Sequence, residues 1–272
     1  MGISTVKGNG GFLGVDARRF ITSSGIISQR KARIERLDNK LTPVYPSFDI
    51  INENFSSGDF TGWTVVNDGA TKKWIISSGT PVKNGARNTV TVPSGSTYVA
   101  FASNDNTNNT YNDYTNVHFY KDFIIPAGST GLTLTLDWMC KGEQASSATG
   151  YDFGYVGLAQ TSFTPDPEEL DLTEGSTYQR ITNTNISNFN ANNGKFNCRS
   201  NTTPTRCPQG LSPYDASEGF VSDSLTIDGS TITNGSIWQT GATRRLIFSF
   251  TSDVNNDYPP SWTITNIKLS NN

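Results

Sequence analysis

The sequence predicts an all-β protein: a jelly-roll β-sandwich preceded by an extended N-terminal arm and one short helix. Three observations predict it. Asn, Ser and Thr make up 90 of the 272 residues, a composition of turn formers and strand-favouring Thr. Aromatic residues reach 11% although hydrophobic residues are only 34%, which suits many short half-buried strands and not a helical bundle. Finally, period-two alternation recurs from Phe48 onward, clearest where Leu132, Leu134, Leu136 and Trp138 alternate with Thr133, Thr135 and Asp137.

Residues 1–25 contain Gly8-Asn9-Gly10-Gly11-Phe12-Leu13-Gly14-Val15. Gly-rich backbone is entropically costly to order, so this segment reads as an extended docking arm. Its contact residues are Phe12, Leu13, Val15, Arg18, Arg19 and Phe20. Over 26–46 the pattern becomes helical. Phe20, Ile27, Ile34 and Leu41 recur every seven residues, Leu37 is interleaved, and Pro43 stops the run. This stem either packs as a single helix or brings copies together through Ile27, Ile34, Leu37 and Leu41. Residues 1–44 carry eight basic and three acidic residues (+5); the remaining chain carries 13 and 21 (−8). A basic arm on an acidic body separates docking from display, and the −8 body disfavours nucleic acid.

The body, 47–272, offers strands at Trp63–Val66, Trp74–Ile76, Thr89–Val92, Tyr98–Phe101, Val117–Tyr120, Leu132–Trp138, Tyr151–Val156, Leu246–Phe250 and Trp262–Leu269. Asn67-Asp68-Gly69, Ala127-Gly128-Ser129 and Asn234-Gly235-Ser236 supply turns. A long polar insertion runs from about 165 to 220. No apolar run approaches the ~18 residues of a membrane span, so no membrane insertion is expected.

This body resembles the cleaved-adhesin and choice-of-anchor jelly rolls, relatives of the meprin-type adhesion sandwich. The matching segments are Glu53-Asn54-Phe55-Ser56-Ser57-Gly58, Gly62-Trp63-Thr64-Val65-Val66-Asn67, Tyr98-Val99-Ala100-Phe101 and Lys121-Asp122-Phe123-Ile124-Ile125-Pro126. Leu132 to Trp138, Tyr151 to Leu158 and Trp262 to Leu269 complete it. The resemblance implies an adhesion or carbohydrate-binding module without catalytic residues. It also implies a calcium in many relatives, held partly by a last-strand Asp where this chain has Thr265-Asn266.

Catalytic chemistry finds little support. His118 is the single histidine and sits in a strand pattern, so no Ser-His-Asp or Cys-His arrangement is expected. Asp137, Asp152 and Glu143 are the carboxylates from which a glycosidase pair would be built. Asn104, Asp105, Asn106, Asn112 and Asp113 are hard oxygen ligands that suit calcium but lack EF-hand spacing; otherwise no cofactor is expected. Cys198 and Cys207 are spaced to close a disulfide, while Cys140 reads as a strand hydrophobe. For recognition, Tyr111 and Tyr114 offer stacking faces, with Asn108, Asn112 and Asp113 as polar contacts. Tyr214 and Tyr258 lie in comparable polar surroundings.

With Met1 as the start, no signal peptide is visible, and synthesis and assembly in a host cytoplasm are expected. The combined expectation is a non-enzymatic bacteriophage virion structural protein: a head or tail fibre, spike or decoration protein. Its partners would be capsid, neck or tail proteins, further copies of itself, and host surface glycans. The alternatives are a secreted or surface-anchored bacterial carbohydrate-binding adhesin and, third, a glycoside-active enzyme.

Overall fold

The computed structural model describes residues 4–8, 11–15, 21–22, 25–26, 47–78, 92–105, 113–140, 152–169, 171–182, 196, 220–253 and 261–272. The chain divides into two compact units, Met1–Ser47 and Phe48–Asn272. In the first, β1 (Ser4–Gly8) pairs antiparallel with β2 (Gly11–Val15), setting Val6 opposite Leu13. β3 (Ile21–Thr22) pairs with β4 (Gly25–Ile26). The segment read as an extended arm thus carries two short antiparallel pairings among its described residues. Phe12, Leu13 and Val15 fall on β2. Arg18, Arg19, Phe20 and the stem residues Ile27, Ile34, Leu37 and Leu41 lie outside the described residues.

The second unit is a sandwich of two antiparallel sheets. One holds β5 (Asp49–Glu53), β7 (Lys73–Ser78), β8 (Tyr98–Ser103), β10 (Leu132–Met139), β13 (Val221–Ile227) and β15 (Thr263–Asn271). They lie in the order β13-β10-β15-β8-β7, with β5 on the other part of the β15 edge. The other sheet is β12-β11-β14-β9-β6. These are β12 (Tyr178–Arg180), β11 (Phe153–Gln160), β14 (Thr243–Ser252), β9 (Thr115–Ile124) and β6 (Thr64–Val66). The chain crosses between sheets at most connections, as in a jelly roll. The expected strand at Thr89–Val92 falls mostly outside the described residues.

Strand alternation builds the core. Leu132, Leu134, Leu136 and Trp138 are buried between the sheets, while Thr133, Thr135 and Asp137 face outward. Leu246, Phe248 and Phe250 of β14 and Phe119 of β9 meet them from the other side. Phe119 stacks on Phe248 at 4.9 Å and takes the edges of Trp74 at 4.8 Å and Trp63 at 5.1 Å. At the start of the sandwich Phe55 is buried with φ +57, in the left-handed region. Glu53 holds that turn, accepting from Phe55 N at 2.7 Å and from Trp63 Nε1 at 2.9 Å.

Described parts of the long polar insertion pack on the sandwich. Its first part, with the residues just before it, roofs the outer face of the five-stranded sheet. Phe163 stacks on Tyr178 at 4.8 Å, and Leu172 is buried beside Phe153, Tyr155 and Ile247. Arg180 lies over the Tyr155 ring at 4.4 Å and pairs with Asp171. Gly157 makes this roof possible, because a Cβ there would overlap the Tyr178 ring. Further on, Phe196 bridges to Gly154 and enters the core between Trp138 and Trp262. Apolar surface spaced widely in a polar segment carries no period, which is why alternation misses it.

Gly154 is equally constrained, since a Cβ there would overlap the buried Trp262 indole. Gly154→Ala is expected to destabilise the protein by roughly 3 kcal/mol, read as a lower urea midpoint with an unchanged slope.

Candidate functional site

Five connections leave the sandwich at one end: 67–72, 104–114, 140–152, 181–220 and 253–262. The registers fix this, because Thr115 pairs Ser252, Phe153 pairs Thr251, Lys73 pairs Ser103, Met139 pairs Thr263 and Trp138 pairs Val221. Their roots are tied together. Lys72 Nζ bridges Asp68 at 3.5 Å and Asp113 at 3.3 Å. Ser252 Oγ donates to Asp113 O at 2.8 Å, and Asp253 N donates to Asp152 Oδ1 at 3.0 Å.

By sequence, 16 of the chain's 27 asparagines fall within these connections, and Asn67 and Asn104 are the two of them among the described residues. Among the described residues these segments carry five acidic residues, Asp68, Asp105, Asp113, Asp152 and Asp253, and one basic residue, Lys72. Tyr114 stands here with 45% of its surface exposed. Its backbone is pinned by Asp113, whose Oδ1 accepts from Tyr114 N at 2.8 Å. Of the recognition residues predicted from sequence, Tyr114 and Asp113 are thus adjacent and accessible. Tyr111, Asn108 and Asn112 lie outside the described residues, as do Tyr214, Tyr258, Cys198 and Cys207. Lys72 was not singled out in the sequence; the Asn67-Asp68-Gly69 turn, across which Asp68 faces Lys72 as an antiparallel bridge, was the available signal.

Among the described residues the catalytic candidates are not assembled. His118 is buried, with Nδ1 2.8 Å from Ser249 Oγ and Nε2 3.3 Å from Asp166 O. Desolvation drives its pKa down to about 4, against a smaller upward pull from Asp166. Both ring nitrogens are engaged within the fold, so the imidazole is structural. Asp137 accepts from Ser222 and from Asn266 on the outer face of the six-stranded sheet. Asp152 is buried before β11 of the opposite sheet. Glu143 lies outside the described residues. Cys140 is buried at the end of β10.

The calcium implied by the resemblance can be tested at Thr265-Asn266. There Ser96 Oγ is ringed by Thr265 Oγ1 at 2.5 Å, Tyr98 O at 2.6 Å and Asn54 O at 3.1 Å. Asn266, at φ +48 in a bulge of β15, donates to Asp137 Oδ2 at 2.7 Å and Ser94 O at 3.3 Å. Calcium takes about six to eight oxygen ligands, carboxylates prominent among them. Here the oxygens around the centre are neutral and a hydroxyl oxygen fills the centre. The flanking carboxylates, Glu53 and Asp137, are already hydrogen-bonded. These residues do not fit a calcium. Among the described residues no group of three His, Cys, Asp or Glu is placed to hold a metal.

No family model matches the chain, and no curated protein matches it. Several solved structures are similar to it. A cleaved adhesin domain of Lys-gingipain from Porphyromonas gingivalis is 8% identical, with a TM-score of 0.44 over 84% of this chain and 99% of that one. The carbohydrate-binding module TmCBM61, solved with β-1,4-galactotriose, is 10% identical, with a TM-score of 0.38 over 83% and 99%. The enzymatically active domain of tailspike protein 4 from bacteriophage CBA120 is 9% identical, with a TM-score of 0.38 over 81% of this chain and 21% of that one.

Two outcomes are expected. His118 is neutral in the fold and gains a proton more readily when unfolded. Its contribution is complete above pH ~6.5, is lost as pH falls toward 4, and amounts to about 3 kcal/mol. His118→Gln should flatten that part of a pH-stability curve. Thermal midpoints with added calcium and with chelator should coincide, whereas Ser96→Ala should cost about 1–2 kcal/mol by chemical denaturation.

Proposed function

We propose that this protein is a display protein of a bacteriophage particle whose sandwich recognises neutral glycans of the host surface through its loop-rich end. The observation carrying this reading is the exposed Tyr114 beside Asp113 at a tied-down end of the sandwich, from which segments Asn-rich in sequence depart. Aromatic faces stack on sugar rings, and amides and carboxylates bond their hydroxyls. Loops on a packed sandwich carry such recognition without disturbing the core.

Charge narrows the ligand. Lys72 is already paired with two carboxylates, and the described residues of this end carry five acidic residues to one basic. An anionic glycan would meet repulsion there, and a neutral one would not. The N-terminal unit supports the second half of the reading. Its +5 segment, set against a −8 body, suits docking on an acidic particle surface. The stem, through Ile27, Ile34, Leu37 and Leu41, would gather copies there.

Tyr111→Ala with Tyr114→Ala is expected to reduce particle adsorption to host cells at least tenfold while the protein stays folded and incorporated. Unchanged adsorption would remove recognition through this loop. Deleting residues 1–25 is expected to abolish incorporation; full occupancy without them would end the docking model.

A further inference from the structure

The Tyr114 ring is exposed, and among the described residues neither another ring nor a hydrogen bond to its hydroxyl holds it. Its direction is set through its backbone, where Tyr114 N donates to Asp113 Oδ1 at 2.8 Å. The other carboxylate oxygen, Asp113 Oδ2, lies 3.3 Å from Lys72 Nζ. A carboxylate that turns moves both oxygens together. With one oxygen on the ammonium, the other is therefore kept on the Tyr114 amide.

Both halves of this contact stand on the core. Asp68 and Lys72 face each other in an antiparallel bridge, and Asn67 Oδ1 beside them accepts from the N–H of buried Trp74 at 3.0 Å. On the other side, Asp113 O accepts from Ser252 Oγ at 2.8 Å and from Thr115 Oγ1 at 3.0 Å, and Ser252 and Thr115 are both buried. Among the described residues of this end Lys72 is the one cation, so no neighbour there takes its place. Its side chain is 23% exposed against 53% for Asp113, which makes the ammonium the sheltered partner of the pair.

We propose that Lys72 is a positioning residue for Tyr114, acting through Asp113, and that it makes recognition at this end sensitive to ionic strength. This role rests on Tyr114 serving as a stacking face for neutral glycans, as proposed above. A ring already held in its bound direction loses less freedom on binding, which raises affinity without a new contact. Salt weakens an exposed ion pair, so it loosens the Asp113 carboxylate and with it the hold on the Tyr114 backbone. A neutral glycan carries no charge for salt to screen. Any salt dependence of its binding therefore originates within the protein.

The test is binding of the full chain to a printed array of uncharged oligosaccharides at about 0.01 M and about 1 M salt, where the screening length is ~30 and ~3 Å. Wild type, Lys72→Met, Lys72→Arg and Tyr114→Ala are compared. Exposed ion pairs add little to stability, so the Lys72 variants stay folded, with thermal midpoints close to that of the wild type. The wild type is expected to lose about two- to fivefold in affinity at high salt. Lys72→Met should show that loss already at low salt and lose nothing further, and Lys72→Arg should behave as the wild type. Full affinity in Lys72→Met, a salt dependence that survives in it, or no rescue by arginine would each overturn the positioning role while recognition through Tyr114 stands. Unchanged binding by Tyr114→Ala, or no binding to any uncharged glycan, would overturn that recognition and the positioning role with it.

Discussion

Phe119 sets the separation of the two sheets. Its face lies 4.9 Å from Phe248 in the same sheet, and the edge of Trp74 reaches it from the opposite one at 4.8 Å. Phe60 at 5.3 Å and Phe55 at 6.3 Å close the same cluster from the connection between β5 and β6. Each such pair adds about 0.5–1.5 kcal/mol beyond its buried area. With that spacing fixed, Trp138, Phe196 and Trp262 fill the space toward the loop end. The cost is visible in polar atoms: Trp74 Nε1 and Trp262 Nε1 are buried with no hydrogen-bond partner among the described residues.

Elsewhere the fold keeps buried polarity almost free of unpaired charge. His118 is held neutral, and hydroxyls join Ser96 to Thr265. Two of the three buried guanidiniums among the described residues rest on rings and carboxylates, Arg180 on Tyr155 with Asp171 and Arg245 on Tyr120 with Asp122, while Arg244 donates to the carbonyls of Ser236, Ile237 and Thr243 and to Gln239. A cation over an aromatic face with a carboxylate alongside keeps both its hydrogen bonds and its electrostatic partners. The outer face of the five-stranded sheet is built this way and is therefore occupied by the chain itself.

Much of the sandwich was legible in the sequence because alternation reports directly on burial. β10 follows the Leu/Thr pattern residue by residue, and β9, β14 and β15 extend strands already marked by Val117, Phe248 and Ile264. Three strands were not legible. β5 and β12 are short, and β13 reads Val-Ser-Asp-Ser-Leu-Thr-Ile, whose inward Asp223 breaks the apolar period. The roof over β11 was hidden for another reason: Tyr178 packs on a glycine many residues away, and nothing local encodes that contact. At the site, composition located Asp113 and Tyr114, but the convergence of five connections depends on strand register, which only the folded sheets supply.

That convergence separates two kinds of sequence change. Positions such as Phe119, Gly154 and Gly157 are locked by the rings packed on them. The connections are rooted at fixed strand ends, and ladder pairing ends where they begin. Lengthening such a loop adds only a slowly growing closure entropy. The molecule can therefore vary in length and composition at one pole while its frame stays constant.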